Sequence, residues 1–274
     1  MKDDFSELES MIYSGRGITM GMTTDGKPFV GYSLTGRSPS SQARKLVYDG
    51  TLKNIKIAVT DDKILSAGNP ELLVYKAIQF IDDDRTKIVV SNGKQTDILE
   101  RFAYLDEPLN AMHLLIRAHE SKVIQHDAVN QQDIDLTSYE PDKPNFTPRI
   151  SGCIDTKYTK SGFNNQLGAF YIVRKQPDSD LQDPGIHTFM LIPGQGHTVT
   201  TYKGNNENPL LPFQNKNPLF AEIRSSTAQD ICESIYEAIG PKGDNNYRVA
   251  AAVMLLNGKN NLDVAIINRF DRGI

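Results

Sequence analysis

Cysteine is scarce in this chain, long apolar runs are missing and charge of one sign is not in large excess. Each shortage removes a class of protein. Two cysteines in 274 residues, Cys153 and Cys232, cannot build a disulfide framework. A reducing compartment is the default for such a chain. No stretch approaches the ~20 apolar residues that a spanning helix needs, and the opening MKDDFSELES has no apolar segment of the kind that makes a secretory signal. The cytoplasm follows by elimination. The net charge is −4, so there is no global basic field for a large nucleic-acid partner. A small anionic ligand stays open, because a few local Arg and Lys side chains suffice for it.

Catalytic signatures of the common kinds are also missing. There is no GxxxxGK[ST] phosphate loop and no GxGxxG after a strand. The five histidines do not fall in HExxH or HxxxH spacing, and the two cysteines lie in separate halves, so no metal site is expected. His113, His119 and His126 read as helix-surface or connector residues.

What the chain does contain is 39% apolar residues, enough for a core, and a mixed order of elements. Residues 1–11 read as a polar extension. Residues 12–34 read as a hairpin turning at Asp25-Gly26. A strand over 55–59 follows. Asn69-Pro70 then signals a helix start, with Leu73, Ala77, Phe80 and Ile81 at helical spacing. A strand over 87–90 precedes helices over 95–103 and 107–124, the second with Leu109, Met112, Ile116 and Val123 on one face. Residues 126–148 form a polar connector. Strands are expected over 149–156, 167–174, 187–192 and 197–202, and an Asn/Pro-rich loop over 204–220. Ser226 and Gln229 have the spacing of a capping box for a helix that buries Ile231, Ile235 and Ile239 and stops at Gly240-Pro241. A hairpin over 249–268 closes the chain. This order does not alternate as βαβα, so the expected class is α+β, with two antiparallel sheets and helices outside them, in one domain over 1–274.

Four segments are too particular to be ordinary scaffold: GRGITMGMTTDGKPFVGYSLTGRS (15–38), SNGKQTDILE (91–100), TSYEPDKPNFTPRISG (137–152) and TYKGNNENPLLPF (201–213). Together they resemble the archaeal-type inosine monophosphate (IMP) cyclohydrolases and their bacterial relatives. The resemblance implies an Ntn-hydrolase-like αββα sandwich of two antiparallel sheets. It also implies a reaction: the formamido derivative of aminoimidazole carboxamide ribotide closes to IMP and releases water. That chemistry asks for an acceptor at the amide N–H, a donor at the formyl oxygen and a cation for the 5′-phosphate. It asks for no cofactor and no metal.

The resemblance assigns candidates. Glu140 matches the glutamate of the family's YE pair and would orient or deprotonate the amide. Tyr75 would donate to the formyl oxygen. Arg37, in GRS, would contact substrate, with Lys27 and Arg44 joining it around phosphate. Asn92, Thr96 and Asp97 of the SNG…TD turn, and Asn145, Thr147 and Arg149 of NFTPRI, would bind the base or ribose. Tyr202, Gly204, Asn205 and Asn208, in the TYKGNNENPLLPF segment, belong to the Asn/Pro loop, read either as a lid or as a homo-oligomer contact. The bland alternatives are a turn arginine, a solvated loop carboxylate, a half-buried helix tyrosine and an Asn-Gly turn with a helix cap. Two other functions stay open. One is an Ntn-type amidohydrolase processed before a nucleophile such as Cys153. The other is a purine-nucleotide-binding protein without turnover.

Overall fold

A computed structural model describes residues 2–61, 63, 73–81, 86–104, 109–127, 132–159 and 162–273. It opens with α1 (Ser6–Glu9), β1 (Arg16–Met22), β2 (Pro28–Thr35), α2 (Pro39–Gln42), β3 (Arg44–Asp49) and β4 (Asn54–Val59). Next come β5 (Lys76–Ile81), β6 (Thr86–Ser91), α3 (Gln95–Ala103), α4 (Ala111–Glu120), β7 (Ile124–Asp127) and β8 (Gln132–Asp135). The second half contains β9 (Arg149–Thr159), β10 (Gly162–Lys175), β11 (Gln182–Met190), β12 (Gln195–Thr200), β13 (Leu219–Glu222), α5 (Ala228–Ala238), β14 (Arg248–Leu256) and β15 (Leu262–Asn268).

Two large antiparallel sheets result. One runs β13-β12-β1-β2-β14-β15 and the other β11-β10-β9-β6-β5-β4-β3. They face each other: β1 touches β9, β2 touches β5 and β6, and β3 touches β14 and β15. Helix α5 lies against β14, β15 and β2, while α3 and α4 lie against the other sheet. The mixed α+β class and the two antiparallel sheets with outer helices are therefore as expected.

The pattern of side chains explains the layering. Register pairs Ile18 with Tyr32 and Met20 with Val30, so these residues share one face of the first sheet. A Cβ on Gly152 of β9 would lie 3.1 Å from Met20, which puts that face toward the second sheet. The opposite face of β2 meets α5 so closely that a Cβ on Gly31 would sit 2.7 Å from Ile235. With both faces covered, β2 is buried along its whole length. Ile18, Met20, Ile150, Ile154 and Phe170 join Ile231 and Ile235 in the main core. Burying one such side chain contributes about 1.5–3 kcal/mol, so Ile235→Ala should loosen the α5 layer first.

Several expectations are corrected. Residues 76–81 form strand β5 instead of continuing a helix, and Asn69-Pro70 lies outside the described residues. Ala77, Ile78, Phe80 and Ile81 are all buried, because the strand is covered on both faces and its apolar run carries no period of 2. The expected connector holds a small ribbon of β7 and β8. Helix α4 is shorter than 107–124 and buries Leu114, Leu115 and Ala118 in place of the expected stripe. The cap of α5 is Thr227, which accepts from the Asp230 N–H, one position beyond Ser226. Residues 1–11 are not a loose extension: Phe5, Leu8 and Met11 enter the main core and Asp4 bridges to Glu222.

Candidate functional site

Where β1 begins, the intersheet space changes from apolar to charged. Gly15 holds φ +73, a left-handed conformation suited to glycine, and a Cβ there would collide with Thr201 Oγ1 at 2.0 Å. The next residue, Arg16, shares the face of Ile18 and enters the space between the sheets. Its Nη2 bonds the Glu140 carboxylate, with side chains 13% and 5% exposed. Arg44, at the start of β3, and Arg149, at the start of β9, are also buried. Arg44 donates from Nε to the Ser41 carbonyl at 2.9 Å. Arg149 donates from Nη1 to Gln95 Oε1 at 3.2 Å. Nε of Arg16, and Nε and Nη2 of Arg149, find no acceptor among the described residues.

Electrostatics follow from this crowding. The Glu140 carboxyl is pushed above its ordinary value by burial, against the pull of Arg16, Arg149 and Arg44. Burial opposes the charge on Arg16, yet Glu140 and the nearby phenols hold its pKa well above the usual guanidinium value. In this coupled pair the proton stays on Arg16, because a guanidinium is the far stronger base. Burial pulls Arg44 and Arg149 down. Two buried guanidiniums, Arg44 and Arg149, and the partly buried Arg16 thus act on one paired carboxylate, and the excess of positive charge suits an anion.

Four phenols line the same region. Tyr32 on β2 and Tyr75, just before β5, meet hydroxyl to hydroxyl at 2.9 Å across the two sheets. Tyr202 meets the Thr147 hydroxyl at 2.6 Å. Thr147 gives its own proton to Asp142 Oδ2 at 2.5 Å, so Tyr202 is the donor to Thr147. Tyr13 stacks on Tyr202, with ring centroids 5.6 Å apart. The loop carrying Glu140 is closed by its N–H to the Thr147 carbonyl at 2.9 Å and by the Thr147 N–H to Asp142 Oδ1 at 2.6 Å. These bonds hold the carboxylate on a short, braced turn.

The expected residues divide into groups. Glu140, Tyr75, Arg44, Arg149, Thr147 and Tyr202 come together in this cluster. Arg37 sits at its rim, 5.2 Å over the Tyr13 ring, and donates to Asn206 Oδ1 and to the Glu207 carbonyl at 3.2 Å each. It grips the 204–220 loop. Asn145 accepts from the Leu210 N–H at 3.0 Å and ties that loop to the Glu140 loop. Gly204 accepts from Ile12 and Tyr13, and Asn205 stands beside it, half-buried, with a buried Oδ1 that has no partner among the described residues.

Four others are placed differently. Asn92 is a strut: its Nδ2 donates to the Pro148 carbonyl at 2.8 Å and its Oδ1 accepts from the Ile150 N–H at 2.9 Å. Thr96 is buried against Ser91 Oγ at 2.6 Å, while Asp97 faces outward to Lys76 at 2.8 Å, so the pair does not converge on one ligand. Lys27 pairs with Asp25 at 2.8 Å in the hairpin turn, at the far end of β1 from Arg16. Six residues of strand make that roughly 20 Å, so Lys27 does not join Arg44.

Arg16 and Tyr32 were not singled out from the sequence, although both lie in its first distinctive segment. The available signal was a lone charged residue between two glycines at the head of an apolar strand. His119 was misread as a surface or connector residue. It is buried, 3.1 Å from Ser151 Oγ and stacked on Tyr171. Burial pushes its pKa down to about 4, helped by Arg149. Cys153 lies in mid-strand among the residues beneath α3 and α4, with its thiol pushed up by burial. Burial in mid-strand that keeps the thiol protonated lowers its nucleophilicity, which counts against an amidohydrolase freed at that position. Among the described residues no group of His, Cys, Asp and Glu could hold a metal ion.

Fold and site together define an α+β protein with an arginine-rich, largely buried cluster between two antiparallel sheets, whose charge balance suits a small anionic ligand. The family described as IMP cyclohydrolase-like protein matches residues 13–260, and the chain belongs to that family. The IMP cyclohydrolase of Methanocaldococcus jannaschii is 32% identical over 88 residues, which cover 32% of this chain and 40% of that protein. The IMP cyclohydrolase of Methanococcus aeolicus is 32% identical over 98 residues, which cover 36% of this chain and 45% of that protein. The chain is thus aligned over less than half the length of these curated relatives.

Proposed function

We propose that this protein is an IMP cyclohydrolase, closing the formamido derivative of aminoimidazole carboxamide ribotide to IMP. One observation carries the reading beyond family membership: a buried carboxylate, Glu140, stands among Arg16, Arg44 and Arg149 beside the Tyr32–Tyr75 hydroxyl pair. In ring closure the carboxamide nitrogen attacks the formyl carbon. The C–N bond forms and the C–O bond breaks. One hydrogen of the carboxamide and the hydrogen of the formamido nitrogen leave with the formyl oxygen as water. Glu140 accepts from the amide N–H, and Tyr75 donates to the formyl oxygen as charge develops there. Arg44 and Arg149 serve the phosphate and the polar edge of the base, and Arg37 with Tyr202 and Asn205 closes the rim. At an effective dielectric of ~20, one charge pair ~5 Å apart contributes about 3 kcal/mol, so two guanidiniums suffice to hold a phosphate.

The wider reading is an Ntn-hydrolase-like αββα sandwich in one domain over 1–274. It is supported by a single main core that draws on both sheets and on α5. The protein works in the cytoplasm on a purine ribotide, without nucleic acid or membrane, and its 204–220 loop offers either a lid or a homo-oligomer contact. Among the described residues no helix is long and apolar enough to cross a membrane. Solution mass tests the assembly state. The decisive experiment incubates pure protein with the formamido ribotide and follows IMP by absorbance. Turnover above background is expected, and its absence at all protein concentrations would sink the proposal.

A further inference from the structure

We infer that Tyr32 is a positioning residue: its hydroxyl donates to Tyr75 and so leaves the Tyr75 proton free for an oxygen of the bound nucleotide. The inference rests on the reading of the intersheet cluster as the nucleotide site. Tyr32 projects from β2 of one sheet and Tyr75 from the entry to β5 of the other, and their oxygens are 2.9 Å apart. Two phenols sharing one hydrogen bond spend one proton on it and keep one. The geometry leaves open which is kept, and the surroundings decide.

Tyr32 is 0% exposed and its register neighbour on β1 is Ile18, so its side chain stands against apolar packing. Among the described residues its hydroxyl bonds to Tyr75. A buried O–H with one acceptor in reach spends its proton there. Both phenols lie in the field of Arg16 and Arg44, and Tyr75 lies also in that of Arg149. A guanidinium donates and never accepts, so none of the three can take the Tyr75 proton. That proton therefore points to whatever acceptor enters the pocket. Burial and the neighbouring Tyr75 also hold the Tyr32 hydroxyl well above its ordinary value, so it stays a neutral donor throughout the working range.

A double-mutant cycle with Tyr32→Phe, Tyr75→Phe and the double variant tests this, read by kcat and by the Kd for IMP. Removing one oriented hydrogen bond should cost about tenfold in each single variant. The double variant should be no worse than Tyr75→Phe within about twofold, since without the second phenol there is nothing left to orient. A Tyr32→Phe loss that multiplies with that of Tyr75→Phe would make Tyr32 a packing residue only and overturn the inference. So would wild-type behaviour of Tyr32→Phe in both readouts. If the wild type makes no IMP but binds it, the cycle in Kd still decides the positioning role while the proposed reaction fails. If IMP does not bind at all, both fall.

Discussion

The two ends of one strand make an instructive pair. Ile18, Met20 and Met22 of β1 sit in an apolar core facing the second sheet, and Arg16, one turn of the pleat earlier on the same face, sits in a charged one. Backbone, sheet and layer are shared. What differs is the partner: Ile18 joins the apolar core beside Tyr32, whereas Arg16 meets Glu140 on a loop from a distant part of the chain. The apolar stretch contributes stability through burial. The charged stretch costs stability, because each desolvated ion recovers its penalty only through a well-placed partner. Stability is thus concentrated in one half of the strand and chemistry in the other.

The largest effect should come from cutting the chemistry while sparing the fold. Glu140→Gln keeps the shape and an acceptor oxygen but removes the base, so kcat should fall about 10²- to 10⁴-fold while IMP still binds. Unchanged turnover would remove Glu140 from the mechanism. The acid limb of the wild-type rate profile should also lie above 4.5, because burial raises the Glu140 carboxyl and activity needs it ionised.

The next largest effect is on stability and separates the two halves directly. Arg16→Met strands Glu140 and should cost about 3–5 kcal/mol together with activity. Ile18→Ala opens a cavity and should cost about 2–5 kcal/mol while nucleotide affinity survives. Denaturant midpoints paired with IMP affinities distinguish them, and equal losses of affinity in both variants would erase the contrast.

A third prediction concerns pH. His119 has its folded-state pKa depressed from 6.5 to about 4. Unfolded chains take up the proton first as pH falls, so stability is full above 6.5 and is lost on the way down to about 4. A shift of that size corresponds to about 3 kcal/mol at most. His119→Gln should flatten the slope of unfolding free energy in that window; an undiminished slope would mean that other groups carry it. The smallest effect belongs to Lys27→Ala. Its exposed pair with Asp25 contributes less than about 1 kcal/mol, and catalytic constants should not move, whereas Arg37→Ala at the rim should weaken binding several-fold.

Legibility followed local chemistry. The hairpin at Asp25-Gly26, helix α5 and the hairpin of β14 and β15 were readable, because turn residues and periodicity act over a few positions. Strand β5 was not, since Ala77, Ile78, Phe80 and Ile81 are covered from both sides and an apolar run broken only by Gln79 fits a buried helix equally well. For the site, Glu140 and Tyr75 were named through the family resemblance, but Arg16 and Tyr32 were passed over and His119 was misread as a surface or connector residue. Each is a single residue whose meaning depends on a partner far away in the chain.

By itself the sequence determined the α+β class, most strand positions, the scarcity of thiols and the segments that mark the family. Only the tertiary structure decided which arginines converge, that Asn92 is a strut, that Asp97 and Lys27 face elsewhere and that Tyr32 meets Tyr75. The reason is physical. Turns and alternation are settled between neighbours, whereas the protonation and orientation of a buried side chain are set by groups that only the packing of two sheets brings within hydrogen-bonding distance.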